Sequence, residues 1–198
     1  MFYKFIDLPN LPQIQTDVLN FVNSKEFALD PNEPHSIRLA DSWQHIQSIV
    51  NAVETICAWQ HVNYIAFAIT PARIVNGPPL WWQLPPHRDS LSDDEEYPWA
   101  LNIPIAGCQE SYVNFYHLKK EAIGNTSIRS IHSQGENRYT SNSFEEQDLE
   151  LVETLCLDRP AFFNTREIHL PVNDTSTPRH IITVRFHVDF RKYNLGLV

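Results

Sequence analysis

A chain of 198 residues with 42% hydrophobic and 12% aromatic content has enough apolar mass for one buried core and no need of a second domain. Its formal charge of −9, with no local run of lysine or arginine to offset it, repels phosphate backbones and excludes nucleic acid as the expected partner. Nowhere does the chain approach the roughly 18 consecutive apolar residues that a bilayer-crossing helix needs, so no membrane partner is expected.

The first residues, Met1 to Asp7, carry an acid, and Pro9 follows at once. A secretory leader has a basic start and an uninterrupted apolar run, so the reading is a cytoplasmic protein. Cys57, Cys108 and Cys156 are odd in number, widely spaced and free of any C-x-x-C pair. They signal neither a disulfide framework nor a thiolate zinc site and are read as reduced, buried thiols. Val18, Phe21 and Val22 recur at helical spacing and predict a short helix within 15–28, ending before Pro31 and Pro34. Residues 41–58 predict a second helix: Trp43, Ile46, Ile49, Val50, Val53, Ile56 and Cys57 fall three and four apart, and Asp41 with Gln44 is spaced as a capping box. Residues 1–60 are therefore expected to form a helical support with one apolar face packed on the rest.

From residue 62 the chain changes to short segments rich in β-branched and aromatic residues, punctuated by proline, asparagine and acidic clusters. The strand candidates are 62–69, 72–76, 80–88, 97–105, 111–118, 150–157, 160–171 and 179–190. No helical pattern lies between them to make parallel crossovers, so 61–198 is expected to be an antiparallel double sheet of the jelly-roll kind, and 1–198 one mainly β domain. Residues 121–148 are polar with only scattered apolar residues and predict a long loop, either a lid or a disordered insertion.

One strand candidate runs Trp81-Trp82-Gln83-Leu84-Pro85-Pro86-His87-Arg88-Asp89. Strand alternation puts His87 and Asp89 on one face and Arg88 on the other, so an imidazole and a carboxylate can reach one cation without backbone strain. Nine histidines and eleven aspartates produce roughly 0.5 H-x-D triplets by chance, and this chain has two. The other, His187-Val188-Asp189, has no later histidine to complete a site and is read as a decoy. His169 is the expected third ligand, on a segment that ends in the turn-forming run Asp174-Thr175-Ser176-Thr177-Pro178. Two imidazoles and a carboxylate hold a redox-active iron on one face and leave its other positions open. Arg179 opens the next apolar strand, where a buried guanidinium needs an anionic partner such as a carboxylate co-substrate. Taken singly, each of these residues reads as an ordinary surface or packing residue; their order and spacing favour the metal site.

The pattern H-x-D, a long gap, then H-x-x-x-N-D-x-x-x-P-R resembles the 2-oxoglutarate and iron(II)-dependent oxygenases, over roughly residues 62–190. Its last segment, His169 to Arg179, is similar to the aspartyl/asparaginyl β-hydroxylase branch. The resemblance implies a double-stranded β-helix, cupin-like fold, with His87, Asp89 and His169 binding Fe(II) and Arg179 gripping the distal carboxylate of 2-oxoglutarate. It also implies consumption of O2, with 2-oxoglutarate decarboxylated to succinate and carbon dioxide as a C–H bond of a small molecule, amino acid or peptide side chain is hydroxylated. The chain departs from that branch in keeping Asp89, which also argues against halogenation. A second departure is Ile181, where several branches place a serine or histidine that shares the co-substrate carboxylate.

Asn102, an amide within the apolar run Trp99 to Ile105, is a further candidate to reach the co-substrate, with a strand-edge asparagine as the equal alternative. Trp81 and Trp82 are candidates for the pocket mouth, though alternation leaves at least one of them to the core. His35, His45, His61, His117, His132 and His180 show no ligand spacing, and His180 is expected to face away from Arg179. Two other readings stay open: a cupin-like isomerase or hydrolase using zinc or manganese, which leaves Arg179 unexplained, and a catalytically silent jelly-roll binding module.

Overall fold

Along Trp99–Ala106 the large apolar side chains fall on every second residue, so Trp99, Leu101, Ile103 and Ile105 share one face while Ala100, Asn102 and Pro104 share the other. This period sorts the molecule into layers. The large apolar face joins a core with helix residues Ile14, Val18, Ile49 and Val53, and the opposite face is turned toward the space between two sheets.

In the computed structural model, which describes residues 1–24, 35–38, 46–57, 62–71, 85–90, 99–123, 128–134 and 137–186, the chain order is as follows. The helical end contains β1 (Tyr3–Phe5), α1 (Leu11–Val22), β2 (His35–Arg38) and α2 (Gln47–Glu54). Then come β3 (Val62–Thr70), β4 (His87–Ser90), β5 (Trp99–Ala106), β6 (Ser111–Leu118), β7 (Ile128–Gln134) and β8 (Asn137–Ser143). The last four strands are β9 (Leu149–Cys156), β10 (Ala161–Asn164), β11 (Ile168–Asn173) and β12 (Arg179–Phe186).

The described strands make two antiparallel six-stranded sheets, ordered β1-β10-β5-β12-β3-β2 and β7-β8-β4-β11-β6-β9. The chain passes repeatedly from one sheet to the other, so the strands carrying the H-x-D triplet and His169 become neighbours although about eighty residues separate them. α1 and α2 cover the outer face of the first sheet. Ile14, Val18 and Val22 lie four apart on α1, and Ile49, Ala52 and Val53 form the buried stripe of α2. Each fully buried aliphatic side chain of this kind contributes about 2 kcal/mol of transfer free energy. No helix among the described residues is long and apolar enough to cross a membrane.

The mainly β architecture with helices on one face matches the sequence expectation, and four differences have local causes. α1 begins at Leu11 rather than near 15, because Pro12 is tolerated in a first turn whose N–H groups lack helical partners, and Asn10 adopts the left-handed conformation at the cap (φ 58°). The segment 160–171 divides into β10 and β11, which lie in different sheets. Asn164 breaks it by accepting the Arg166 N–H on its side-chain oxygen (3.2 Å) and the Glu167 N–H on its carbonyl (3.1 Å). The expected loop at 121–148 is corrected: β7 and β8 form a hairpin, and β8 pairs with β4. It is a polar hairpin at a sheet edge and so lacks the apolar alternation that marks a half-buried strand. β1 and β2, each of a few residues, also carry no such pattern. The strand candidate 72–76, Trp81, Trp82, the capping pair Asp41 and Gln44, and the decoy triplet at 187–189 lie outside the described residues.

The reversal from β11 to β12 is tied down by Asn173. Its amide nitrogen donates to the carbonyls of Thr70 (3.1 Å), Pro71 (2.9 Å) and Thr177 (2.9 Å), while its oxygen accepts from the Thr175 hydroxyl (2.8 Å). On the other side, Gly107 (φ +65°) lets the turn after β5 approach the chain just before Arg179. A Cβ there would sit 2.1 Å from the Pro178 carbonyl oxygen.

Candidate metal centre

β4 runs between β8 and β11, and the register places His87 directly opposite His169. Their imidazole centroids are 4.6 Å apart. Asp89, two residues along the same strand face, brings a carboxylate to the pair, and one ligand atom from each of the three lies within 4.8 Å of the others. Arg88 points away, its guanidinium 5.3 Å from the Phe144 ring centroid. His87 and His169 are buried at 7% and 8% exposure, whereas the Asp89 side chain is about a quarter exposed, at 26%.

Both imidazoles are oriented by main-chain oxygens: His87 Nδ1 lies 2.9 Å from the Pro85 carbonyl and His169 Nδ1 lies 2.9 Å from the Glu167 carbonyl. A carbonyl oxygen can only accept, so each Nδ1 carries the proton and each Nε2 presents its lone pair. This is the tautomer that metal-ligating histidines use. His87 Nε2 stands 3.6 Å from Asp89 Oδ1. Bonds of about 2.1 Å at right angles set ligand atoms about 3 Å apart, so a small contraction closes the site around a cation.

Protonation favours ligation too. Burial, reinforced by the positive charge His169 carries when protonated, pushes the His87 pKa down to about 4. Burial alone would raise the Asp89 pKa, but the charges of Arg185, His169 and His87 together hold it below the ordinary carboxylate value. At neutral pH the pair is therefore a neutral imidazole and an ionised carboxylate, the forms that bind metal. Between pH 6.5 and about 4 the unfolded chain takes up a proton that native His87 refuses, so the metal-free protein loses stability as pH falls across that window. The loss from this group is about 3 kcal/mol. Urea unfolding of metal-free protein at pH 7 and pH 4.5 measures it, and His87→Gln is expected to flatten the difference; an equal pH dependence in both proteins contradicts the assignment.

Arg179 is 1% exposed, and its three guanidinium nitrogens are buried without a hydrogen-bond partner among the described residues. Burial lowers its pKa, while the Cys108 thiol, close enough to interact by charge and as a hydrogen-bond acceptor, and the Cys156 thiol act in the other direction. Ile182, Val184 and Phe186 belong to the helix-side core, so Arg179, Ile181, Thr183 and Arg185 face the space between the sheets. His180 faces the opposite way, stacked on Phe67 at 5.6 Å, as the alternation predicts. The expectation that Arg179 lies beside the metal ligands is corrected: the guanidinium against the triad is that of Arg185, about 20 Å further along β12 at roughly 3.3 Å per residue.

Asn102 is buried at 5% exposure beside Thr183. The premise that its amide lacks a protein partner is corrected: Oδ1 accepts from the Thr183 hydroxyl at 2.7 Å, and only Nδ2, with a long 3.4 Å contact to the Ala100 carbonyl, keeps donor capacity. Cys57 and Cys108 are buried as expected, but Cys156 is exposed.

Arg185 and Thr165 were not among the sequence candidates. Arg185 Nη2 pairs with Asp89 Oδ2, and Nη1 donates to Thr165 Oγ1 at 2.8 Å. The signal was available: Arg185 lies in the same apolar strand as Arg179 and on the same face, so the buried-charge argument applies to both.

No family model matches this chain, and no curated protein matches it. A solved structure of a non-heme monooxygenase, ThoJ in its apo form, aligns over 92% of this chain and 72% of its own, at 13% identity and a TM-score of 0.47. That degree of likeness carries no argument about chemistry, which rests on the geometry of this chain.

Proposed function

We propose that this protein is a non-haem Fe(II)- and 2-oxoglutarate-dependent dioxygenase that hydroxylates a C–H bond of a small molecule, amino acid or peptide side chain. The observation that carries the reading is the triad itself, one ligand atom from each of His87, Asp89 and His169 within 4.8 Å of the others; Arg179, a buried guanidinium, stands apart from it on β12. Two imidazoles and one carboxylate suit iron(II) with open positions. The fork of Arg179 suits a carboxylate held at a distance from the metal. The interleaved strand order of the two sheets supports a jelly-roll, cupin-like scaffold within one domain. The acidic charge supports a substrate other than nucleic acid.

Bound iron(II) would supply dioxygen activation, with 2-oxoglutarate oxidised to succinate and carbon dioxide and one oxygen atom entering the substrate C–H bond. The residues supply placement. His87, Asp89 and His169 would hold the cation, Arg179 would bind the distal carboxylate, and Asn102 Nδ2 would donate to the co-substrate. Phe115, fully buried with its ring 6.4 Å from that of His169, keeps water from one side of the site. A zinc or manganese isomerase or hydrolase needs no partner for Arg179 and leaves that buried charge uncompensated.

Anaerobic addition of iron(II) and then 2-oxoglutarate to the purified protein tests this reading. A weak visible charge-transfer band that needs both components is the expected result, and its absence at saturating iron and keto acid would falsify the proposal.

A further inference from the structure

We infer that Arg185 and Thr165 are positioning residues that keep Asp89 a one-oxygen ligand. The inference rests on the metal centre proposed above and concerns how that centre keeps its free coordination positions.

The argument starts from how completely Asp89 is held. Its outer carboxylate oxygen, Oδ2, is paired with Arg185 Nη2, which leaves Oδ1 as the oxygen facing His87 Nε2 at 3.6 Å. Arg185 is itself fixed, because Nη1 donates to the Thr165 hydroxyl at 2.8 Å and Thr165 is 3% exposed. Thr165 also holds the main chain of Asp89, its carbonyl accepting the Asp89 N–H at 3.0 Å. Asp89 is thus gripped at backbone and side chain by one unit. The same turn, between β10 and β11, supplies the Glu167 carbonyl that orients His169 Nδ1. A short turn and one arginine from the facing sheet therefore set the direction of two of the three ligands.

The chemical consequence follows from counting donors. A carboxylate free to rotate can bind a divalent ion through both oxygens and fill a fourth position. With Oδ2 engaged by a planar fork, only Oδ1 remains, and three adjacent positions stay open for a two-toothed keto acid and dioxygen. Lysine cannot replace this fork, since its ammonium is a point charge that does not bridge Asp89 and Thr165 in fixed geometry.

Cobalt(II), titrated into metal-free protein and followed by its visible ligand-field bands, is the probe, with no co-substrate present. Arg185→Met is expected to weaken cobalt binding by about 10- to 100-fold, the usual effect of losing a partner of a metal ligand, and to change the band shape as Asp89 becomes two-toothed. The direction is diagnostic, because removing a nearby positive charge would by itself tighten binding of a dication. Arg185→Lys should also weaken binding, and Thr165→Val should do so by a smaller factor. Cobalt binding in Arg185→Met that is as tight as wild type or tighter, with unchanged bands, overturns the inference and leaves the metal centre standing. If Arg185→Met does not fold, as judged by circular dichroism, wild-type affinity and bands in both Arg185→Lys and Thr165→Val overturn it instead. Wild-type protein that binds no cobalt through His87 sinks the metal centre and the inference together.

Discussion

Replacing Arg179 by glutamine is expected to weaken 2-oxoglutarate binding by about 100- to 1,000-fold, leave metal binding unchanged and make the unliganded protein more stable. The two signs come from one fact: the guanidinium is already desolvated, at 1% exposure, with none of its nitrogens hydrogen-bonded to the described residues. A buried charge without a partner costs folding free energy, so its removal relieves the free protein. A carboxylate arriving at that charge meets a donor with little water left to strip and forms two charge-assisted hydrogen bonds, commonly worth about 3–4 kcal/mol when one partner of such a pair is later deleted. Arg179→Lys should keep part of the attraction and lose the two-pronged geometry. Calorimetric titration of 2-oxoglutarate into manganese-loaded protein, beside thermal melts of the free protein, separates these effects. A less stable Arg179→Gln protein with unchanged keto-acid affinity would show that the residue serves packing alone.

Removing a metal ligand should have the other large effect, and Asp89 and His169 should differ. Either change to alanine is expected to weaken metal binding on the order of 1,000-fold, because a binding free energy of about 10 kcal/mol or more is shared among a few ligands. Their effects on stability diverge. Asp89→Ala also strips Arg185 of the carboxylate it pairs with, leaving a largely desolvated positive charge, and should cost about 2–3 kcal/mol of metal-free stability. His169→Ala removes a ring whose one hydrogen bond among the described residues is to the Glu167 carbonyl, and should cost less. Urea unfolding of the two metal-free variants checks the order, and equal losses would mean that the Arg185–Asp89 pair contributes nothing to the fold.

Legibility in the sequence followed the strength of the apolar pattern. β3, β5, β6, β9 and β12 each bury at least part of one face, and their boundaries fall within a few residues of those expected. β7 and β8 escaped because the hairpin they form ends the sheet, with β7 at its edge, and is rich in serine, asparagine and threonine. The break at Asn164 escaped because an asparagine side chain bonding to its own backbone neighbours leaves no mark on hydrophobic periodicity. Asn102 was judged by its isolation within an apolar segment, and the partner that satisfies it, Thr183, comes from a strand 81 residues away.

Local chemistry was enough to put His87 and Asp89 on one side of a strand and to point Arg88 away, since alternation is a property of the extended backbone itself. It was enough as well to name His169 and Arg179 as groups of the right kind in a workable order. What remained was decided by pairing between distant segments. β11 lies against β4 in a register that sets imidazole opposite imidazole, and a slip of one residue would turn His169 to the other face. The reach of Arg185 across the two sheets to Asp89, and the lack of any such partner for Arg179 among the described residues, depend on which side chains the layers bring face to face, and no single segment of the chain carries that information.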